Sequence, residues 1–256
     1  MTPAPHRLPR VDARAMAEDR TARAALVESA SAPYRRAGRY ALHFARAKLG
    51  TDPVFAHLLR HGVIAPRARV LDLGSGQGLL ASLLQAAGRL ARQGQWPAQW
   101  ARPPLEARVT GIELVRRDVV RADAALAGDA TFVCADMREA AFPQSDAVVL
   151  LDALHYLAPM QQDQVLARAR AALGDGGAVV LRVGDAAVRR AFALSRGIDR
   201  LVMGLRGGGW APLSGRPAAH WEQALRGLGF EVESAPMGTG VTHANVLLVG
   251  RLPSRA

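Results

Sequence analysis

An α/β fold built on a buried parallel sheet is predicted by two regularities of this 256-residue chain. Short runs rich in Val, Leu and Ile alternate with amphipathic helical segments from residue 68 to residue 183. These runs lack the polar alternation of half-exposed strands, which indicates strands covered on both faces by crossover helices. We therefore expect helices on both sides of the sheet and ligands at the carboxyl ends of its strands.

The elements follow in a regular order. Strands are expected at 68–73, 108–113, 131–135, 146–151 and 177–183, and helices at about 78–92, 116–127 and 160–173. A further helix at about 217–228 leads to two final strands at 230–235 and 244–251. Residues 94–107 are rich in Pro, so they predict an irregular insertion at the sheet edge.

The chain before the first strand divides into two parts. Residues 1–30 are rich in Ala, Arg and Pro without a sustained apolar run, so we expect a mobile segment or a loose leading helix. Apolar side chains then recur at helical spacing, which predicts a helical cap at 31–63. The main domain is expected at 64–256, with a basic cover segment at 189–216.

The composition narrows the class of protein. Cys134 is the single cysteine, which excludes an internal disulfide framework and suits a reducing compartment. Its apolar neighbours predict a core position. No apolar run reaches the roughly 20 residues that a membrane span requires. We expect a cytoplasmic protein.

The net charge of +11 is concentrated in two segments. Residues 1–50 carry a net +6 and residues 189–216 a net +5, whereas the rest of the chain is neutral. This placement predicts a basic surface for substrate or partner, formed by Tyr34, Arg35, Arg39, Tyr40, Arg46 and Trp210. A solvated helix face in an arginine-rich composition is the alternative.

Residues 70–78 read Val-Leu-Asp-Leu-Gly-Ser-Gly-Gln-Gly, and no other stretch says as much about function. The glycines allow a sharp turn from strand to helix and leave backbone amides open to a ligand. Asp72, at the strand end, can accept from an ammonium group. A dinucleotide fingerprint needs a glycine at position 79, where Leu79 stands. A tight turn without a ligand remains the structural alternative.

This acid followed by Gly-x-Gly-x-Gly resembles the nucleotide-site loop of class I S-adenosylmethionine-dependent methyltransferases. The resemblance implies a Rossmann-like seven-stranded sheet of order 3-2-1-4-5-7-6, with the last strand antiparallel and helices on both faces. It also implies that S-adenosyl-L-methionine binds at Asp72, Gly74, Ser75, Gly76 and Gly78.

The same resemblance assigns roles to the ends of the next three strands. An acid at the position of Glu113 accepts from the ribose hydroxyls, and Leu114 lies against the adenine. Asp136 accepts from the adenine amino group, with Met137 beside the ring. Asp152 faces the amino group or methyl of the cofactor. The plain alternatives are solvated or capping acids and a packing role for Met137.

The acceptor side is expected just beyond the fourth strand. His155 is the best-placed general base and Tyr156 stands beside it, with a packed loop as the alternative. The Asn-Pro-Pro-Tyr and Pro-Cys sequences of nucleobase-methylating branches are absent, which disfavours nucleobase methylation by either route and makes nucleic acid a less expected partner. A metal-dependent catechol-type site would need Asp-Asn after strand five, but Asp185 precedes Ala186. No metal is therefore expected.

Two further stretches, Ser-Ala-Pro-Tyr-Arg-Arg-Ala-Gly-Arg-Tyr at 31–40 and Thr-His-Ala-Asn-Val-Leu-Leu-Val at 242–249, resemble small methyltransferases of bacterial aryl polyene pigment clusters. That resemblance implies methylation of a phenolic head group at ring carbon or oxygen, with the acyl chain held on an acidic carrier protein. Two alternatives stay open, an RNA methyltransferase and a non-catalytic cofactor-binding module.

Overall fold

A computed structural model of the chain describes residues 13–185, 214–237 and 245–254. The helices are α1 (Ala13–Ser31), α2 (Arg39–Thr51), α3 (Pro53–Arg60), α4 (Leu79–Arg92), α5 (Arg116–Leu126), α6 (Pro159–Ala172) and α7 (Ala218–Gly227). The strands are β1 (Arg69–Leu73), β2 (Arg108–Glu113), β3 (Thr131–Cys134), β4 (Ser145–Leu151), β5 (Leu173–Gly184), β6 (Glu231–Pro236) and β7 (Asn245–Arg251). Short 3₁₀ helices occupy Ala32–Arg35 and Leu154–Tyr156.

The strands form one seven-stranded sheet of order β3-β2-β1-β4-β5-β7-β6. The pairs from β3 to β5 are parallel, and β7 is antiparallel to both β5 and β6. The predicted order and the antiparallel last strand are thus confirmed. Every carboxyl end of a parallel strand lies at the same edge of the sheet, which is the edge where a ligand can reach all of them.

Each face of the sheet has its own apolar core. Val70, Ala147 and Val149 pack with the helices of the amino-terminal half and with α4. On the other face, Leu71, Val148 and Val179 pack under α6 and α7. Strand residues alternate between the two faces, and both faces are covered, which explains the continuous apolar runs in the sequence.

The edge strand β3 is less covered than the sequence indicated. Cys134 is exposed rather than in the core, and Val133 is 42% exposed. The prediction of a buried Cys134 is therefore wrong. Apolar neighbours in the sequence do not distinguish an edge strand from a central one, and β3 pairs only with β2.

The amino-terminal helix α1 is part of the packed structure. Its residues Leu26 and Ala30 are buried, and the Ser82 hydroxyl of α4 donates to the Ala30 carbonyl. A leading helix was one of the two expectations for residues 1–30, and these two side chains, one helical turn apart, bury one face of its carboxyl-terminal end. In the described part of the chain, no helix has the length and apolar character needed to cross a membrane.

Candidate functional site

The glycine loop at 74–78 joins β1 to α4 at the carboxyl edge of the sheet. Gly74, Gly76 and Gly78 all have positive φ, at 77°, 55° and 79°. A Cβ on Gly74 would lie 2.7 Å from that of Ala153, and one on Gly78 would lie 2.6 Å from the Phe132 ring. A Cβ on Gly76 would meet no atom within 4 Å. The two outer glycines therefore permit close packing, whereas the middle one borders open space.

The amides of this loop are used within the protein. Gly74 and Ser75 both donate to the Ile112 carbonyl, at 2.8 and 3.3 Å. The Gly76 amide donates to Oε2 of Glu113 at 2.8 Å. The expectation of amides open to a ligand is therefore wrong for these three residues, because the end of β2 lies close enough to accept them.

Glu113 has further acceptor capacity. Its Oε1 accepts from the Val115 amide at 2.8 Å, so each carboxylate oxygen carries one backbone hydrogen bond. A carboxylate oxygen can accept about two hydrogen bonds. The next side chain, Leu114, is 64% exposed, which is high for a large apolar residue. The fixed carboxylate of Glu113 can accept from two neighbouring hydroxyl groups of a ligand. The exposed Leu114 side chain beside it can pack against a flat ring.

Asp72 lies beneath the loop and is buried. Burial, reinforced by the nearby charge of Glu113, raises the pKa of Asp72 to about 7. A cation placed near these two acids would favour the ionised form of Asp72. The Ser75 hydroxyl is also buried and has no hydrogen-bond partner among the described residues.

Asp136 and Met137 follow β3. Both oxygens of Asp136 accept from the Arg138 side chain, and Oδ1 also accepts from the Arg138 amide at 2.8 Å. These bonds to Arg138 outweigh the opposing effect of partial burial and lower the pKa of Asp136. The Met137 side chain turns towards Gly74, where its Cε would lie 3.6 Å from a Cβ. Its thioether therefore contributes to packing beneath the loop.

Asp152 ends β4 in an ionic network that crosses the sheet edge. The Arg182 guanidinium, buried in β5, donates to both oxygens of Asp152, with Nε at 2.8 Å, and to Asp52 at 2.5 Å. Lys48 Nζ lies 2.8 Å from Asp52 Oδ2 and 3.5 Å from Asp152 Oδ2. Burial alone would raise the pKa of Asp152, but the charges of Arg182 and Lys48 lower it to about 2.

This network was not predicted. Two signals in the sequence point to it in retrospect. Arg182 interrupts the apolar run of a strand that is otherwise covered on both faces, and Lys48 is the only lysine among 33 basic residues. Asp52 gave no such signal, because its side chain also caps α3 by accepting from the Val54 amide at 3.1 Å.

His155 and Tyr156 form the short helix that follows Asp152. Their ring centroids are 4.1 Å apart, and the His155 carbonyl accepts from the Ser214 amide at 2.8 Å. The charge of His155 is among the influences that lower the pKa of Asp152, after those of Arg182 and Lys48. The two predicted acceptor-side residues are thus adjacent to Asp152.

The residues predicted to contact substrate or partner differ in their exposure and in their contacts. Tyr34 is buried, and its hydroxyl donates to the Gln77 carbonyl at 2.8 Å, so it supports the glycine loop instead of forming surface. Burial raises the pKa of Tyr34. Tyr40 is exposed beneath the Arg121 guanidinium. Arg35 and Arg46 both pair with Glu28.

The remaining predicted positions have simpler outcomes. Arg39 begins α2 and is exposed, whereas Trp210 and most of 189–216 lie outside the described residues. Asp185 accepts from the Ala218 amide at 3.1 Å, at the start of α7. Within the described ranges, no group of three His, Cys, Asp or Glu side chains could hold a metal ion.

The sequence was compared with models of known protein families and with curated proteins. Residues 70–177 match the family model described as a methyltransferase domain. A search of curated proteins finds no match.

Solved structures share the fold. An O-methyltransferase family protein from Burkholderia thailandensis has a TM-score of 0.57 at 21% identity, covering 87% of this chain and 63% of its own. Magnesium protoporphyrin IX methyltransferase from Synechocystis, with bound SAH, has a TM-score of 0.54 at 18% identity, covering 84% and 88%. Human N-acetylserotonin methyltransferase, in complex with SAM, has a TM-score of 0.55 at 16% identity, covering 96% and 68%. The chain spans 63% of the length of the Burkholderia protein.

Proposed function

We propose, from the premise that this chain is an S-adenosylmethionine-dependent methyltransferase with the class I fold, that it methylates a small or carrier-bound acceptor. The acceptor that we propose is a phenolic or aryl polyene head group in bacterial secondary metabolism, methylated at oxygen or ring carbon. The observation that carries the proposal is that Glu113, the glycine loop, Asp152 and His155 all lie along one edge of the sheet.

The residues present fit S-adenosylmethionine. Open space borders Gly76, and the Glu113 carboxylate beside it keeps acceptor capacity for the ribose hydroxyls. Leu114 offers an exposed apolar surface for the adenine, with Asp136 as the expected acceptor for its amino group. When bound, the sulfonium supplies an activated methyl group. The buried acid Asp72 suits a positively charged ligand, because a nearby cation stabilises its ionised form.

On the acceptor side, His155 would act as the base for a hydroxyl group. Its imidazole would accept the acceptor's proton at a ring nitrogen, and the carboxylate of Asp152 nearby would stabilise the resulting imidazolium. Tyr156, whose ring lies against that of His155, would hold the orientation of the imidazole. In-line methyl transfer depends mainly on alignment, and this short helix follows directly after Asp152 at the carboxyl end of β4.

Three observations support a small or carrier-bound acceptor. The similar structures include methyltransferases of N-acetylserotonin and of magnesium protoporphyrin IX, which are small molecules. The stretches at 31–40 and 242–249 resemble enzymes of aryl polyene clusters. An open groove of about 480 Å³ between α1 and α2 carries Arg20, Arg23 and Arg46 against one acid, Glu28, and this excess of arginine suits an acidic carrier protein.

A transfer assay tests the proposal. Purified protein is incubated with methyl-labelled S-adenosylmethionine and, separately, with small phenols, an aryl-loaded acyl carrier protein and total RNA. Label in a phenol or in the loaded carrier supports the proposal. Label in RNA alone would favour the RNA methyltransferase, and cofactor binding without any transfer would favour a non-catalytic module. At a limiting concentration of S-adenosylmethionine, Glu113→Ala should lower the transfer about tenfold or more relative to wild type.

A second assay tests recruitment of the carrier. Exchanging Arg20, Arg23 and Arg46 for Glu should raise KM for a carrier-bound acceptor far more than for a free phenol. The difference should shrink with salt, because electrostatic screening shortens to about 3 Å at 1 M ionic strength. The matched control is Arg226→Glu on α7. Equal effects on both acceptors would mean that this basic surface is only solvated.

A further inference from the structure

Helix α2 connects two parts of the cofactor edge that are far apart in the sequence. Near its start, the Ala41 carbonyl accepts from the Gln77 side chain in the glycine loop at 2.9 Å. In its last turn, Lys48 Nζ lies 3.5 Å from Asp152 Oδ2. Asp152 is next to Ala153, which packs directly against Gly74. The Lys48 ammonium and the Asp152 carboxylate therefore lie beside the glycine loop.

The four members of the ionic network differ in exposure. Arg182 and Asp52 are buried, with side chains 2% and 9% exposed, and they hold the other two from behind. Lys48 and Asp152 are 37% and 32% exposed. A ligand at this edge of the sheet can therefore reach one cation and one anion of the network, side by side.

Both groups keep capacity for another hydrogen bond. An ammonium group has three hydrogens, and Asp52 and Asp152 are the two acceptors of Lys48 among the described residues. Asp152 Oδ1 accepts from Arg182 Nε and can accept once more. The exposed pair thus presents one donor cation and one acceptor anion.

An α-amino acid presents the complementary pair, an ammonium and a carboxylate on the same carbon atom. The resemblance already places Asp152 towards the α-ammonium of S-adenosylmethionine, and we propose that Lys48 binds the α-carboxylate beside it. The proposal rests on the cofactor and not on the identity of the acceptor.

The choice of lysine fits this role. A guanidinium is a planar fork that engages one carboxylate with two parallel bonds, whereas a compact ammonium can direct single hydrogens at three acceptors. Lys48 already serves two carboxylates, and the third would be that of the ligand. The competing explanation is that Lys48 only neutralises Asp52 and Asp152.

Calorimetry with two ligands separates these explanations. S-adenosylhomocysteine contains the amino-acid end, and 5′-methylthioadenosine keeps the adenosine and sulfur but lacks it. Lys48→Met should weaken S-adenosylhomocysteine about tenfold or more, the loss expected for a charged hydrogen bond. It should leave methylthioadenosine within about twofold. Arg226→Met, which removes a cation from another i,i+4 pair, is the matched control.

Labelling of the wild-type protein gives a second test that does not need a folded variant. Lys48 is the only side-chain amine, so an acylating reagent and peptide mass spectrometry report on it alone, with the terminal amine as internal reference. S-adenosylhomocysteine should slow labelling of Lys48 severalfold, and methylthioadenosine should not.

Several results would overturn the proposal. Equal weakening of both ligands in Lys48→Met would mean that Lys48 only supports the structure of this sheet edge. Unchanged affinities, or equal labelling with either ligand, would do the same. If wild type binds neither ligand, the cofactor assignment itself fails, and that outcome is distinct from a selective loss.

Discussion

The Glu113 carboxylate accepts from the Gly76 amide at 2.8 Å, and this contact adds to the bonds from Gly74 and Ser75 to Ile112 that join the end of β2 to the glycine loop. The acid is therefore fixed at the point where the loop borders open space. The contact gives Glu113 a structural role in addition to the proposed binding of ribose. Variants at this edge must be interpreted with both roles in mind.

Gly76 and Gly78 should respond differently to substitution. Gly76→Arg places a side chain in open space, so it should lose about 1–2 kcal/mol to its left-handed backbone yet abolish binding of S-adenosylhomocysteine. Gly78→Ala would bring a methyl group within 2.6 Å of Phe132 and should destabilise the fold more. Thermal unfolding and calorimetry on both variants check this. Wild-type binding by Gly76→Arg would contradict it.

Asp72 should make stability fall as pH rises. Its folded pKa of about 7 lies above the unfolded value of about 3.9, so the folded state holds the proton over this range. The contribution of Asp72 to the free energy of unfolding is fully present below about pH 4. It is lost as the pH rises towards 7, and the total loss is about 4 kcal/mol at most.

Denaturant unfolding of wild type and Asp72→Asn from pH 4.5 to 8 measures this effect. Asp72→Asn should gain stability relative to wild type as pH rises, and other titrating groups such as His57 cancel in the difference. A difference that stays constant over the range would contradict the account of Asp72.

Arg182 should be the most sensitive member of the ionic network. Arg182→Met leaves Asp52 and Asp152 without their buried partner, a change that costs about 3–5 kcal/mol in comparable sites. The loss should shrink at low pH, because the lowered pKa of Asp152 supplies stability above about pH 4 that disappears as pH falls through about 2. Denaturant unfolding is the measurement, with Arg226→Met as an exposed control. A loss no larger than in the control would contradict this role.

His155 should affect turnover and not binding. His155→Ala should lower kcat roughly a hundredfold on a hydroxyl acceptor, since a general base contributes about that factor. Affinity for S-adenosylhomocysteine should stay within about twofold. His61→Ala in the α3 region is a control. Unchanged turnover at neutral pH, or failure to fold, would favour a packing role for His155.

The strand ends were predictable from sequence because each combines an apolar run with an abrupt polar residue. Asp72, Glu113, Asp136 and Asp152 all follow this pattern, and the structure places them along the same edge. The order of the strands came from resemblance, because periodicity gives the elements and not their arrangement. The depth of Tyr34 and the exposure of Cys134 depend on tertiary neighbours that periodicity does not report.

The ionic network could not be predicted in the same way. Asp52 and Arg182 are 130 residues apart, and their contact depends on the corner between α2 and α3 meeting the end of β5. Lys48 carried a compositional signal only, since one lysine among many arginines says nothing about position. The partners of the loop amides were likewise hidden, because they come from the neighbouring strand.

The central claim is that S-adenosylmethionine binds at the sheet edge formed by the glycine loop and Glu113, and calorimetric titration of S-adenosylhomocysteine into wild type and Glu113→Ala tests it most directly. Wild type should bind, and Glu113→Ala should bind about tenfold or more weakly, because charged hydrogen bonds are lost. Glu113→Gln should fall between them, and Glu222→Ala on α7 should match wild type. Wild-type affinity in Glu113→Ala would contradict the claim.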